Sequence, residues 1–206
     1  MLILSIDLSL HAGYAVAEGQ KGSEPKLIEY GTKDLGQKIT SYGSYPFCYS
    51  KASTAQIQDN IKPLIDRFQP DVIVVEETSK SRAVYSQKIL EFLHRDLLQV
   101  LSEYLLHKPT CEIAFLKTGD WRSSLGMAMT KQQKKDNAIL RKAKRKGKVD
   151  KKKLGIKGLT TPKHVAVAYV NEKFGLKLLV KDNNTADSLC LVLAYLNNCK
   201  ICDGEW

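Results

Sequence analysis

No stretch of this sequence stays apolar for the roughly 18–20 residues that cross a bilayer. Its first segment, MLILSIDLSL, has no basic flank and is interrupted by Asp7, so it is not read as an export signal. Cysteine is sparse. Five thiols (Cys48, Cys111, Cys190, Cys199, Cys202) make an odd number without framework spacing, which argues against a disulfide-stapled fold and for reduced thiols in an intracellular protein. Cys199 and Cys202 form a CxxC, but structural zinc needs four ligands, and a partner pair of cysteines or a nearby histidine is missing. There is no internal repeat, and low complexity is confined to one Lys/Arg tract. With 43% hydrophobic and 26% charged residues, the chain has material for a core, which excludes wholesale disorder and a collagen-like fibre. Its 206 residues suggest a single domain, 1–206.

Negative charge is also in short supply: 22 acidic residues face 32 basic ones, a formal net charge of +10. Residues 131–153 hold twelve Lys/Arg against Asp136 and Asp150, so this tract carries the entire excess and the remainder is balanced. A neutral body with a cationic insert, about 119–160, fits a polyanionic partner, most often nucleic acid. A solvated arm or an address tag is the plainer alternative.

Apolar spacing predicts the elements. Leu2, Leu4 and Ile6 alternate with Ile3, Ser5 and Asp7 as in a strand; GYAVA (13–17) and KLIEYGT (26–32) complete a three-stranded meander. Residues 33–50 read as an irregular connection. Ile57, Ile61, Leu64, Ile65 and Phe68 have helical spacing, with Ser53 or Thr54 as cap and Pro63 splitting the helix. DVIVV (71–75) is a continuous apolar run, as in a central buried strand. Over 83–106, Leu90, Leu93, Leu97, Leu101 and Tyr104 form a helical stripe, suited either to a dimer seam or to packing on the sheet. CEIAFL (111–116) is a fifth strand. Thr161-Pro162 opens a helix that Gly175 stops, residues 176–180 suit an extended segment, and a last helix spans about 184–195. The order predicts a mixed α/β sheet covered by helices.

Three acids stand at or near the ends of apolar elements: Asp7 after the first strand, Glu76 after the central one, and Asp187 in the first turn of the last helix. If the first and fourth strands are adjacent and parallel, all three gather at one edge. Clustered carboxylates repel and need cations; Mg²⁺ takes carboxylate oxygens, and a metal pair holds both oxygens of an in-line phosphoryl displacement. Each acid also has an ordinary reading: a turn residue, an exposed strand end, or a favourable charge on a helix dipole.

SIDLSLHAGYAV, DVIVVEETSKSR and ADSLCLVLAY resemble, in order, the RuvC-type Holliday junction resolvases of the ribonuclease H-like superfamily. The compact bacteriophage versions are also similar in GDWRSSLG, KHVAVAYVNEKFGL and KDNNTADS. The resemblance implies a ribonuclease H-like, five-stranded mixed sheet with helices on both faces, and a homodimer in the cytoplasm of a bacterial host. It implies hydrolysis of branched DNA, leaving 5′-phosphates, with two Mg²⁺ ions per site (Mn²⁺ substituting). The family's acids fall on Asp7, on Glu76 (Glu77 the less favoured neighbour) and on Asp187. A fourth falls on Asn184, a departure: an amide oxygen is a poorer Mg²⁺ ligand than a carboxylate. Asp182 is the substitute nearest in sequence. The gap from Asp7 to Gly13 is one residue shorter than the family pattern implies.

Phosphate contacts are expected from Arg122, Lys131, Lys134, Lys135, Arg141, Lys142, Lys144, Arg145, Lys146 and Lys163, the last in a helix's first turn, where free N–H groups favour anions. Trp121 reads as a packing anchor or a base-stacking platform. His11 and His164 suit ordinary surface or turn roles better than proton transfer. Three other readings compete: a flap or fork debranching nuclease, a branched-DNA binding protein weakened by Asn184, and a sugar-kinase or actin-like ATPase fold, for which 206 residues leave little room.

Overall fold

The computed structural model describes residues 1–36, 46–77, 84–145 and 158–198. Lys146, the rest of the basic tract, Cys199, Cys202 and the side chains of Cys48 and Lys144 lie outside the described residues.

Five strands, β1 (Leu2–Asp7), β2 (His11–Glu18), β3 (Lys26–Asp34), β4 (Val72–Glu76) and β5 (Glu112–Leu116), form one sheet in the order β3-β2-β1-β4-β5. The meander is antiparallel, and β4 and β5 join β1 in parallel. The adjacency of β1 and β4, on which the carboxylate cluster depended, is therefore met. β4 reads as unbroken hydrophobicity because both of its faces are covered.

The period of two along β1 sends successive side chains to two cores. Leu4 and Ile6, with Ile73 and Val75, pack under α1 (Pro46–Asn60), α2 (Lys62–Phe68) and α3 (Val84–His107). Ile3, with Val72, Val74, Ala114 and Leu116, packs under α4 (Thr118–Ser124), α6 (Pro162–Phe174) and α7 (Asn183–Leu196). Helices thus cover both faces.

Most element boundaries match the sequence pattern, and the exceptions have local causes. Pro63 does split the first helical region, but α1 starts at Pro46, inside the supposed irregular connection. Ser53 and Thr54 lie within it, and their hydroxyls bond back to the Ser50 carbonyl instead of capping. Of the two readings of the α3 stripe, packing on the sheet is met: Leu93, Leu97, Leu101 and Tyr104 are buried in the chain's own core. Residues 176–180 form no strand; a 3₁₀ turn, Val180–Asp182, begins at the last of them. The first part of the basic tract is a helix, α5 (Lys131–Arg145). Asn137 pins it, its carbonyl accepting the Thr160 N–H at 2.9 Å and its amide donating to the Thr160 carbonyl. α6 starts on the expected Thr161 cap and ends at Gly175, whose φ of 66° suits glycine. α7 is buried on every side from Thr185 to Leu196, as befits its nearly all-apolar run. Among the described residues, no helix is long and apolar enough to cross a membrane.

Candidate active site

Ile3, Ser5 and Asp7 share the face of β1 that meets α7. Ser5 Oγ donates to the Ser188 carbonyl at 2.7 Å, and the Thr32 and Thr185 hydroxyls meet at 2.8 Å, so two polar clamps fix the helix on the sheet. Gly13, paired with Asp7 in the β1–β2 ladder, lets α7 come close: a Cβ there would lie 1.9 Å from the Asn184 carbonyl oxygen. The tight first turn is thus matched to the helix that crosses it. Ile6 pairs with Val75, so one further step sets Asp7 beside Glu76. Asp187 is the fifth residue of α7, just beyond the first turn where it was expected.

Asp7 and Asp187 both feel the charge of Glu76. Asp7 is 7% exposed, and burial pushes its carboxyl well above the ordinary range. The charges of Glu76 and Asp187 and a hydrogen bond shared with Glu76 add to this, while Lys163 opposes it. Burial likewise pushes Asp187 up to about 6, against the lowering pull of Arg122. A buried group of like charges is costly without a cation.

Neighbouring groups hold the acids in place. Glu76 Oε1 accepts from Thr118 Oγ1 at 2.6 Å and Trp121 Nε1 at 3.0 Å. Trp121 is fully buried, so it is the packing anchor and not a base-stacking platform. Arg122 is not an open phosphate contact: its Nη2 donates to both Asp187 oxygens, at 2.9 and 3.0 Å, and Nη1 to the Pro162 carbonyl at 3.1 Å. Its guanidinium lies 4.3 Å from the centre of the Trp121 ring system. His94, not singled out in the sequence, places Nε2 3.3 Å from the Glu76 carbonyl oxygen. Thr118 and Arg122 could be found in the sequence as polar residues after β5, but not their partners.

Asn184 lies on the α7 turn preceding Asp187, and its amide donates to Ser9 Oγ at 3.2 Å and to the His11 carbonyl. Its Oδ1 accepts from Asn183. It thus ties α7 to the β1–β2 turn. Asp182 accepts the Leu179 N–H at 2.9 Å. His11 approaches Asp34 at 3.4 Å on the surface, and His164 completes the capping box with Thr161, both ordinary roles.

Lys131, Lys134, Lys135, Arg141, Lys142 and Arg145 are exposed on α5, and Lys163 is exposed in the first turn of α6. A groove of about 300 Å³ runs between α4 and α5, lined by Arg122, Met127, Met129, Lys134 and Pro162.

Carboxylate oxygens from β1, β4 and α7 are the hard donors that Mg²⁺ or Mn²⁺ takes, so the donor chemistry fits a divalent ion. With both Asp187 oxygens on Arg122, no three His, Cys, Asp or Glu side chains among the described residues are grouped to hold one directly.

Sheet order and helix placement define a ribonuclease H-like α/β fold. Two solved structures of Thermus thermophilus RuvC, one of them in complex with a Holliday junction substrate, share it, each with a TM-score of 0.54 over 98% of this chain and 99% of that one, at 14% identity for the complex and 16% for the other structure. The yeast mitochondrial Holliday junction resolvase Ydc2 is similar over 95% of this chain and 78% of its own, at 14% identity and a TM-score of 0.49. No family model matches the sequence, and neither does any curated protein.

Proposed function

We propose that this chain is a divalent-metal-dependent, structure-specific endodeoxyribonuclease that resolves four-way junctions or related branched DNA, working as a homodimer of single-domain subunits. The observation that carries this reading is geometric: Asp7 and Glu76 end the adjacent parallel strands β1 and β4, and Asp187 lies on α7, which the Ser5–Ser188 bond holds against β1. The fold shared with a RuvC bound to its junction supports it, as does the exposed basic α5. Asp7, Glu76 and Asp187 would hold Mg²⁺ or Mn²⁺, two ions in the full form of the proposal. When bound, the metal supplies an acidified water and charge stabilisation at the leaving oxygen. Thr118 and Trp121 fix the orientation of Glu76, and Ser5 fixes the helix that carries Asp187. Lys163, whose charge opposes the rise of both aspartates, would meet a phosphate, and α5 would offer a row of further cations. The test is cleavage of synthetic four-way junctions, forks and flaps with Mg²⁺ and with Mn²⁺. Junction cleavage lost in Asp7→Asn supports the proposal, and cleavage that survives in that variant overturns it.

The engagement of Asn184 with the β1–β2 turn favours a second reading, a junction-binding protein of weakened catalysis. Asn184→Asp is expected to raise Mg²⁺-dependent cleavage; an unchanged rate removes position 184 from the ligand set.

A further inference from the structure

Arg122 is the one basic residue whose side chain is hydrogen-bonded to the carboxylate cluster among the described residues. Its bonds to both Asp187 oxygens are direct, and its side chain is only 18% exposed. It rests on Trp121, whose indole N–H is bonded to Glu76, so one guanidinium–indole stack spans two of the three acids. A carboxylate whose two oxygens each accept from one nitrogen, as Asp187 does from Arg122 Nη2, keeps two further lone-pair sites. A divalent ion using one of them would sit a few ångströms from the guanidinium, in a buried place where like charges repel strongly. On its other side Arg122 lines the groove shared with Lys134 and Pro162, which gives the displaced guanidinium a destination beside one further cation, Lys134.

We propose that Arg122 is the exchangeable counter-ion of Asp187: it neutralises the carboxylate in the metal-free protein, yields it to a divalent cation, and is thereby released towards a DNA phosphate. Metal and DNA binding are then positively linked through one side chain, and free metal-free protein is held in an inactive arrangement. This rests on the metal-dependent nuclease reading above.

The experiment measures Mn²⁺ affinity by electron paramagnetic resonance, and junction affinity with and without Ca²⁺, for the full chain and its variants. Arg122→Gln is expected to bind Mn²⁺ about tenfold more tightly and to lose the Ca²⁺-dependent gain in junction affinity. In a Trp206→Phe background Trp121 is the only tryptophan, and Mn²⁺ should change its emission in wild type but less in Arg122→Gln. Unchanged Mn²⁺ affinity in Arg122→Gln overturns the proposal while leaving the nuclease reading intact. Mn²⁺ binding that is the same in wild type, Asp7→Asn and Asp187→Asn overturns the nuclease reading, and this proposal with it. If Arg122→Gln fails to fold, Arg122→Met, which removes the charge and the donors but keeps a long stem against Trp121, serves instead: it is expected to bind Mn²⁺ more tightly than wild type, and an unchanged affinity again overturns the proposal.

Discussion

Replacing Gly13 by Ala tests whether the sheet and α7 together build the site. The new methyl would stand 1.9 Å from the Asn184 carbonyl oxygen, 2.2 Å from its carbon and 2.8 Å from the Thr185 nitrogen. Ordinary contact begins near 3.4 Å, so about 1.5 Å of clearance must be made. All three atoms are backbone, and no side-chain rotation relieves them. α7 must lift from β2, stretching the Ser5–Ser188 and Thr32–Thr185 clamps. Overpacking of this kind costs about 3 kcal/mol, which in a chain of this size lowers Tm by roughly 6–12 °C. Asp187 lies three residues along the same helix, and a displacement of about 1 Å at a reacting centre costs on the order of 100-fold in rate. Thermal unfolding followed by circular dichroism, together with junction cleavage, reads both effects. Gly119→Ala is the control: nothing lies within 4 Å of a Cβ there, and the position is helical, so its stability should hold or rise by up to about 1 kcal/mol. A Gly13→Ala protein melting within 1 °C of wild type would refute the packing argument.

Without metal, stability should rise as pH falls from 8 to 5. Asp187 binds its proton more tightly folded, at about 6, than unfolded near 3.8, so its ionised form opposes folding at neutral pH. That penalty, about 3 kcal/mol at most, begins to lift as pH drops through 6 and is gone below 3.8. Asp187→Asn should flatten this part of a Tm-against-pH curve, and an identical curve contradicts the assignment. Thr161→Ala, which removes the α6 cap accepting from the His164 N–H, should cost about 1 kcal/mol; denaturant titration measures it, and no loss would mean the cap contributes nothing. Changing Lys134, Lys135, Arg141 and Lys142 together to Gln should reduce the slope of log affinity against log salt for junction binding by about 3–4. An unchanged slope takes α5 off the DNA.

Local pattern alone determined a great deal here. Alternation in LILSID, the apolar run in DVIVV and the Thr161-Pro162 start depend on near neighbours in the chain, and all three elements formed where expected. The same period of two decided that Asp7 shares a face with Ser5, and the charge tally located the cationic segment. Pairing across long separations was not legible. The α3 stripe would look the same facing a partner or its own sheet, and only packing showed that it lines the core. The sequence marks Arg122 as a cation and Asn184 as an amide near an acid. Their partners, 65 residues away at Asp187 and 173 residues away at His11, were chosen by the way α7 crosses the first hairpin. A side chain's chemistry is written in the sequence, but its partner depends on which backbones come within about 3 Å, and that follows from the packing of the whole chain.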